Sequence, residues 1–172
     1  MICKRIVPRL DIKSECLVKG IHLEGLRVLG NPWDYAAAYS DDGADELLYM
    51  DSVASLYGRN SLHDIVSRTA QRIFIPISVG GGIRSTGDIQ HILNAGADKV
   101  VINTAVLNQP ELIRHAADEF GSSTIAVSID AKQMPDGSYM AFKDNGRSNS
   151  GREVFQWAKE AVSLGDGEIV LT

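Results

Sequence analysis

GADKVVIN, at residues 96–103, joins a short polar turn to an apolar, β-branched run that ends in asparagine. The turn recurs as GADEL at residues 43–47, and more loosely as GDGEI at residues 165–169, each time before an apolar run. Nearly continuous apolar runs of this length are typical of strands buried on both faces of a parallel sheet. Recurrence of one turn-and-strand unit along the chain indicates a fold built from repeats.

Six apolar runs of this kind alternate with amphipathic segments. They predict strands over residues 5–11, 46–51, 74–79, 99–103, 124–130 and 168–172. Helices are predicted to begin near Asn31, at Asn60 or Ser61, and near Ser85, Asn108 and Gly151. Ser85 with Asp88 resembles a capping box, in which two side chains bond each other's backbone N–H groups. The regular alternation of strand and helix predicts an α/β fold with right-handed crossovers.

A longer-range similarity relates LDIK at residues 10–13 to IDAK at residues 129–132. A duplication of this kind favours a (β/α)8 barrel, or TIM barrel, over the alternative, an open doubly wound sheet. Complete barrels have about 250 residues, so residues 1–172 predict a single incomplete barrel domain of about six strands. Its first half-barrel would comprise roughly residues 1–120, and residues 121–172 would be part of the second. We expect such a fragment to be inactive and to associate through its exposed strand edges.

The composition is that of an ordinary globular chain with a mildly acidic balance. With 17 basic and 22 acidic residues the net charge is −5, which argues against a nucleic-acid partner. No apolar run approaches the roughly 20 residues that span a membrane, and the N-terminus lacks the apolar region of a signal peptide. The 2 cysteines predict a reduced, cytoplasmic protein. The 4 histidines lack the spacing of metal ligands, so neither a metal nor another cofactor is predicted.

Polar side chains end several predicted strands, at the edge where a parallel barrel builds its active site. Asp11, Asp51 and Asp130 end three of the strands, and Asn103 ends a fourth. An aspartate in this position is also a common capping residue of the following turn. Asp11 and Asp130, however, occupy matching positions in the two repeats, which favours a function as general acid and general base.

Three consecutive glycines, residues 80–82, follow the third predicted strand. A tight turn would need one or two of them, so three favour a backbone that approaches a phosphate, with Gly81 and Gly82 in that role. Asn103 and Thr104 are candidates to supply further donors to the same phosphate.

Lys19 follows the first strand and precedes a segment, residues 21–30, that is long enough to form a lid. In a loop above the active site this lysine would contact an anionic substrate. An ordinary solvated surface lysine is the alternative.

Charged residues begin four of the predicted strands with alternating sign: Arg5, Glu46, Lys99 and Glu168. Their common position in the repeats predicts a ring of salt bridges at the floor of the barrel. The alternative is that each is a solvated residue at a strand entry.

Together these motifs resemble the cyclase subunit family of imidazole glycerol phosphate synthase, from histidine biosynthesis. The similar segments are RIVPRLD at 5–11, GADEL at 43–47, SVGGGIRS at 78–85, GADKVVINTA at 96–105 and SIDAK at 128–132. The resemblance implies a (β/α)8-barrel enzyme, a lyase or cyclase, that takes ammonia from a glutaminase partner. It implies closure of the imidazole ring of a bis-phosphorylated ribulosyl-formimino nucleotide, which forms imidazole glycerol phosphate and releases aminoimidazole carboxamide ribotide.

The resemblance also implies roles for single residues. Asp11 and Asp130 would perform acid–base catalysis, and the loop lysine Lys19 would be important for turnover. Phosphate would be bound by Gly82, Asn103 and Thr104, with Asp51 as a supporting residue. The resemblance further implies contact of Asp98 with the glutaminase and an ammonia gate formed by Arg5, Glu46, Lys99 and Glu168. A gate that excludes water would keep ammonia from being lost to solvent as ammonium.

Two positions depart from the histidine-pathway pattern: Arg9 stands where cysteine is usual, and Val101 where serine is usual. Residues 22–27 and 53–59 are closer to a paralogous branch from surface-polysaccharide gene clusters, which is thought to deliver ammonia for sugar amidation. The aspartate-pair isomerase of histidine biosynthesis is a further alternative, although it needs neither ammonia nor a gate. Outside the enzymes, the alternative is a non-catalytic ammonia conduit for an amidotransferase.

Overall fold

A computed structural model describes residues 4–21, 25–52 and 62–172. Predictions about Cys3, His22, the segment 53–59 and a helix start at Asn60 or Ser61 lie outside these residues. None of the helices in the described ranges is long and apolar enough to cross a membrane.

The described residues form two compact units. The first contains the described residues up to Gly82 together with Gln90–Asp98, and the second contains Ile83–Ile89 and Lys99–Thr172. Each unit is built around its own set of parallel strands, so each is described separately below.

Five strands of the first unit form a sheet in the order β3-β2-β1-β4-β5. They are β1 (Arg9–Lys13), β2 (Cys16–Ile21), β3 (Gly25–Gly30), β4 (Leu47–Asp51) and β5 (Ile77–Gly80). β1, β4 and β5 are parallel, whereas β2 and β3 form an antiparallel hairpin that continues from β1. Helix α1 (Pro32–Asp41) precedes β4, and α2 (His63–Ala70) precedes β5.

The second unit is built on the long strand β7 (Ile125–Gln133). The first half of β7 pairs in parallel with β6 (Lys99–Ile102) and with β10 (Glu168–Leu171). Its second half pairs with the antiparallel hairpin of β8 (Tyr139–Lys143) and β9 (Ser148–Glu153). The helices are α3 (Thr86–Asn94), whose last residues belong to the first unit, α4 (Thr104–Asn108), α5 (Glu111–Phe120), a 3-10 helix (Ser122–Thr124) and α6 (Val154–Ser163).

Each sheet has an apolar face that packs against helices. In the first unit the hydroxyl of Tyr49 lies 2.9 Å from Oγ1 of Thr69 in α2, and the Thr69 hydroxyl donates to the Ile65 carbonyl at 2.8 Å. Burial raises the pKa of Tyr49 to about 12, so this side chain stays protonated. In the second unit α5 and α6 pack against β7. The apolar face therefore leaves the opposite side of each sheet for polar residues.

The recurring turn fastens the start of one strand to its neighbour. Asp45 bonds both backbone groups of Ile6: its N–H donates to the carbonyl at 3.0 Å, and its carboxylate accepts the Ile6 N–H at 2.7 Å. Asp98 bonds both groups of Ile77 in the same way, each at 2.8 Å. These two-bond clamps set the register at the strand starts, which explains why the turn recurs.

The third copy of the turn has glycine where the other two have the clamping aspartate. The N–H of Gly167 donates to the Ile125 carbonyl at 3.2 Å, but the Ile125 N–H bonds the carbonyl of Ser122 in the 3-10 helix. A Cβ on Gly167 would lie 2.1 Å from that Ser122 oxygen, so only glycine fits. The 3-10 helix therefore replaces the aspartate side chain, and the looser motif is its consequence.

All six predicted parallel strands are present, and two of them begin more than one residue later than predicted. β1 begins at Arg9 and β5 at Ile77, each directly after a proline, which has no N–H to give to the sheet. Helix α6 also begins later, at Val154, because β9 continues to Glu153. The two hairpins and α4 are not predicted from the sequence, since their short strands lack a regular apolar alternation.

Candidate active site

One face of the second unit's sheet carries polar residues at both ends of its parallel strands. Val101 pairs with Ala126, and Ala126 pairs with Glu168, so these three side chains point to the same side. Side chains alternate along a strand, so residues two positions away share that side. The residues added in this way are Lys99, Asn103, Ser128, Asp130 and Val170.

An ion pair occupies the starts of these strands. Nζ of Lys99 lies 2.7 Å from Oε2 of Glu168, and the two side chains are 19% and 34% exposed. Partial burial makes such a pair stronger than a fully exposed one, although desolvation offsets part of the gain.

Asn103 and Asp130 meet at the other end of the same face. Nδ2 of Asn103 donates to Oδ2 of Asp130 at 3.0 Å and to the carbonyl of Phe142 in β8 at 3.3 Å. A carboxylate and a backbone carbonyl are both acceptors, so only the NH2 side of the amide can face them. The sequence predicts Asn103 as a phosphate donor, whereas the structure directs its N–H groups to the aspartate.

The carbonyl oxygen of Asn103 consequently points away from both partners. This Oδ1 has less than 1 Å² of exposed surface and accepts no hydrogen bond from the described residues. A buried polar atom without a partner costs about 1–3 kcal/mol. Such an atom is uncommon in a folded protein and marks a place where a donor is expected.

The β8–β9 hairpin is fastened beside these two residues. Oγ1 of Thr104 accepts the N–H of Asp144 at 3.0 Å. Nζ of Lys132 donates to the Gly146 carbonyl and lies 4.6 Å from the centre of the Phe142 ring. Thr104 and the lysine of the IDAK repeat therefore hold the hairpin, and the Thr104 hydroxyl oxygen is already engaged by protein.

The first unit has a corresponding ion pair at its strand starts. Nη1 of Arg5 lies 2.7 Å from Oε2 of Glu46, whose other carboxylate oxygen accepts a short hydrogen bond from the buried Ser78 hydroxyl. Glu46 is almost completely buried, at 4% exposure, while the Arg5 side chain is 47% exposed. Each unit thus contains an ion pair formed by two of the four predicted gate residues.

Asp11 is paired with a residue that sequence analysis does not assign to the site. Nε of Arg9 lies 2.9 Å from Oδ1 of Asp11, and both side chains are 39% exposed. The two residues stand two positions apart on β1 and so share one face of the strand. That spacing, with opposite charges before and at a strand end, is the signal that was open to sequence reasoning.

Asp51 does not share a face with Asp11. The register pairs Asp11 with Met50 and Ile12 with Asp51, so Asp51 lies on the opposite side of the sheet, and it is 4% exposed. Gly81 packs against its backbone: a Cβ on Gly81 would lie 2.7 Å from the Asp51 carbonyl oxygen.

Gly81 and Gly82 have φ angles of 104° and 74°, which favour glycine. A turn and a close backbone contact therefore explain both glycines without a phosphate. The N-terminus of α3 that follows is closed by its capping box, in which the Asp88 carboxylate accepts the N–H groups of Arg84 at 2.9 Å and Ser85 at 3.1 Å. The N–H of Asp88 in turn donates to Oγ of Ser85 at 3.2 Å, which confirms the predicted box.

Lys19 and Asp98 both lie on exposed surface. Lys19 is in β2, opposite Arg27 of β3, so the described part of the predicted lid is a strand of this hairpin. Asp98 is exposed, and its carboxylate forms the clamp on Ile77.

Asp166 is a buried carboxylate that sequence analysis misses. It occupies the position of Ala44 and Ala97 in the other two copies of the turn and is only 7% exposed. Neither carboxylate oxygen accepts a hydrogen bond of ordinary length and angle from the described residues. Desolvation, supported by the nearby negative charge of Glu168, raises the pKa of Asp166 to about 6, although backbone N–H groups partly oppose this.

In the part of the chain that the structure describes, no three histidine, cysteine or acidic side chains are grouped as metal ligands. The side chains of the candidate site are carboxylates, an amide and paired cations.

Parallel strands that alternate with helices and carry polar residues towards their carboxyl ends define an α/β protein. The family model of histidine biosynthesis proteins matches residues 5–172, and the chain belongs to this family, whose fold is the (β/α)8 barrel. The imidazole glycerol phosphate synthase subunit HisF of Legionella pneumophila is 55% identical over 168 residues, which cover 98% of this chain and 79% of that protein. The predicted family, fold class and enzyme type, a synthase subunit, are confirmed.

Proposed function

We propose that the protein is the cyclase subunit of an ammonia-dependent synthase that acts on a bis-phosphorylated ribulosyl-formimino nucleotide. The observation that carries this proposal is the polar face shared by β6, β7 and β10. An ion pair, Lys99 with Glu168, stands at the strand starts, and Asn103 with Asp130 stands at the strand ends. The two ends are separated along β6 by roughly 13 Å, filled by small and apolar side chains.

The chemistry requires both a base and an acid. The ammonia nitrogen must lose protons as it forms new bonds to carbon, and the departing group must gain one. Asp130 and Asp11 are the proposed pair, because each lies on a parallel strand close to the point where it continues into a hairpin, and each is already oriented by a donor, Asn103 or Arg9. The sequence repeat that relates the two aspartates supports the same pairing.

Partner and substrate contacts complete the proposal. Ammonia would come from a glutaminase subunit, with the exposed Asp98 at that interface. The backbones of Gly81, Gly82 and Thr104 would contact phosphate, and Lys19 would contact the substrate from its hairpin. Asp51 is retained only as a support for the Gly81 turn, because it lies on the other face of its strand.

A second candidate is the paralogous function, delivery of ammonia for sugar amidation. The observation that favours it is the Arg9–Asp11 ion pair, since a guanidinium beside a proposed catalytic carboxylate changes the groups that meet the substrate. The two functions differ in the acceptor of ammonia, so a direct assay separates them.

The test is turnover of the nucleotide with an ammonium salt, and with glutamine plus a glutaminase subunit. We expect a full-length wild-type protein that contains residues 1–172 to use both nitrogen sources. Lys99→Met should lower glutamine-driven turnover about tenfold and change ammonium-driven turnover less than about twofold, because the gate acts only on delivered ammonia. Lys159→Met, at an exposed lysine of α6, is the matched control and should change neither.

Two results would contradict the proposal. Equal loss of glutamine-driven and ammonium-driven turnover in Lys99→Met would contradict the gate role of Lys99. Failure of the wild-type protein to turn over the nucleotide with ammonium would remove the cyclase function, and glutamine hydrolysis without nucleotide turnover would favour the paralogous function.

A further inference from the structure

The orientation of the Asn103 amide is determined by its neighbours. Both partners of Nδ2, the Asp130 carboxylate and the Phe142 carbonyl, can only accept hydrogen bonds. Rotating the amide by half a turn would place Oδ1 against two acceptors and lose both bonds. The carbonyl oxygen must therefore face the other way, where it is buried and accepts no bond from the described residues.

We propose that Oδ1 of Asn103 accepts an N–H of the incoming ammonia and positions its nitrogen for attack. This inference rests on the proposed cyclase function. A buried oxygen that accepts no bond from the described residues is a place where a donor is expected, and ammonia is the smallest donor that the proposed reaction supplies. The same side chain occupies the face of β6 that begins at Lys99, so it lies on the side from which delivered ammonia would come.

The geometry gives the amide two functions at once. Its NH2 group holds the Asp130 carboxylate, and its carbonyl oxygen accepts from ammonia, so nucleophile and base are positioned by one planar group. Ammonia has three N–H bonds and one lone pair. A hydrogen bond from one of its N–H bonds to Oδ1 of Asn103 would leave the lone pair free to attack carbon.

The test separates the two functions of Asn103 by substitution. Asn103→Leu keeps the shape of the side chain and removes both functions. Asn103→Asp keeps an oxygen acceptor and removes the donor to Asp130. Asn108→Leu, the same substitution at an exposed residue of α4 whose Oδ1 accepts from Lys143 at 3.0 Å, is the control.

Apparent KM values for ammonium and for the nucleotide are measured at one pH with each variant, and thermal unfolding checks that each is folded. Asn103→Leu should raise the KM for ammonium roughly three- to tenfold, the effect of one lost hydrogen bond, with the KM for the nucleotide changed less than about twofold. Asn103→Asp should lower kcat while leaving the KM for ammonium near or below the wild-type value. Asn108→Leu should behave as wild type.

A lower kcat with an unchanged KM for ammonium in both Asn103 variants would overturn the inference, because the residue would then act only by holding Asp130. A higher KM for the nucleotide alone would also overturn it, since Asn103 would then bind that substrate. Absence of ammonium-driven turnover in the wild-type protein would be a failure of the proposed function and is recognised before any variant is compared.

Discussion

The two units follow one plan but surround their aspartates with different groups. In each, a strand with a parallel neighbour carries an aspartate close to the point where it continues into an antiparallel hairpin. Asp11 in the first unit is bound by the charged Arg9 on its own strand, whereas Asp130 in the second is bound by the neutral Asn103 from the neighbouring strand. The two units thus share a strand framework, set by backbone bonds, and differ in the side chains that contact the aspartate.

The hairpins that follow the two aspartates also differ in the side chains that contact them. The β8–β9 hairpin is tied to its unit by the Thr104 hydroxyl and by Lys132. In β2 and β3, Lys19 and Arg27 face each other across the pair, two like charges on an exposed hairpin. Like charges opposite each other weaken a strand pair, whereas the hairpin after Asp130 gains bonds from Thr104 and Lys132.

Substitution of either aspartate should have the largest effect on turnover and is the most direct test of this comparison. Asp11→Asn and Asp130→Asn should each lower ammonium-driven turnover by about 10²–10⁴-fold, the usual contribution of a general acid or base. Asparagine preserves the size of the side chain, so thermal unfolding should change little. Turnover is measured at saturating nucleotide and ammonium.

A double variant that combines Asp11→Asn with Asp130→Asn tests whether the two aspartates act together. If they form one acid–base system, the double variant should be about as inactive as the more affected single variant. Full turnover in either single variant would contradict its catalytic role, and a role for only one aspartate would break the equivalence of the two units.

The second largest expected effect is on the free energy of unfolding, and it concerns Asp166 in the third copy of the turn. Asp166 is buried where the other copies have Ala44 and Ala97, and its pKa is raised to about 6 from an ordinary value of 3.8. A raised carboxyl pKa means that the folded state disfavours the charged form. This cost is absent below about pH 4, grows between pH 4 and 6, and is fully present above pH 6.

Asp166→Ala should therefore stabilise the protein by about 2 kcal/mol at pH 8, and by much less near pH 4. Ala44→Asp in the first unit is the matched reverse substitution and should destabilise at pH 8 by a similar amount. Urea unfolding at both pH values measures the change. A loss of stability at pH 8 in Asp166→Ala would show that the carboxylate is bound by compensating groups.

Sequence reasoning predicts the framework of both units and less of their sites. The strand starts are predictable because the clamping aspartates, Asp45 and Asp98, recur within a visible motif. Asp51 could not be placed correctly, because its face depends on the register of β1 with β4, and a shift by one residue reverses every side chain.

The chemistry around Asp130 escapes sequence reasoning for a different reason. Asn103 meets Asp130 only through the pairing of β6 with β7, and its amide is oriented by a carbonyl of an unpredicted hairpin. Asp166 is missed because an acidic residue in a polar turn gives no sign of burial. Arg9 was within reach, since residues two apart on a strand share a face, but a single charge before a strand end has many ordinary explanations.

The smallest effect tests whether Arg9 holds Asp11 as firmly as Asn103 holds Asp130. Both members of the Arg9–Asp11 pair are 39% exposed, so solvent screens their attraction, and ordering a long side chain costs entropy. Arg9→Gln should therefore change the free energy of unfolding by less than about 0.5 kcal/mol, with the small difference disappearing at high salt. Arg9→Lys, which keeps the charge, is the control, and urea unfolding at low and high salt is the measurement. A loss above about 1 kcal/mol that persists in salt would mean that Asp11 is fixed as rigidly as Asp130, and the difference between the two units would then lie in charge alone.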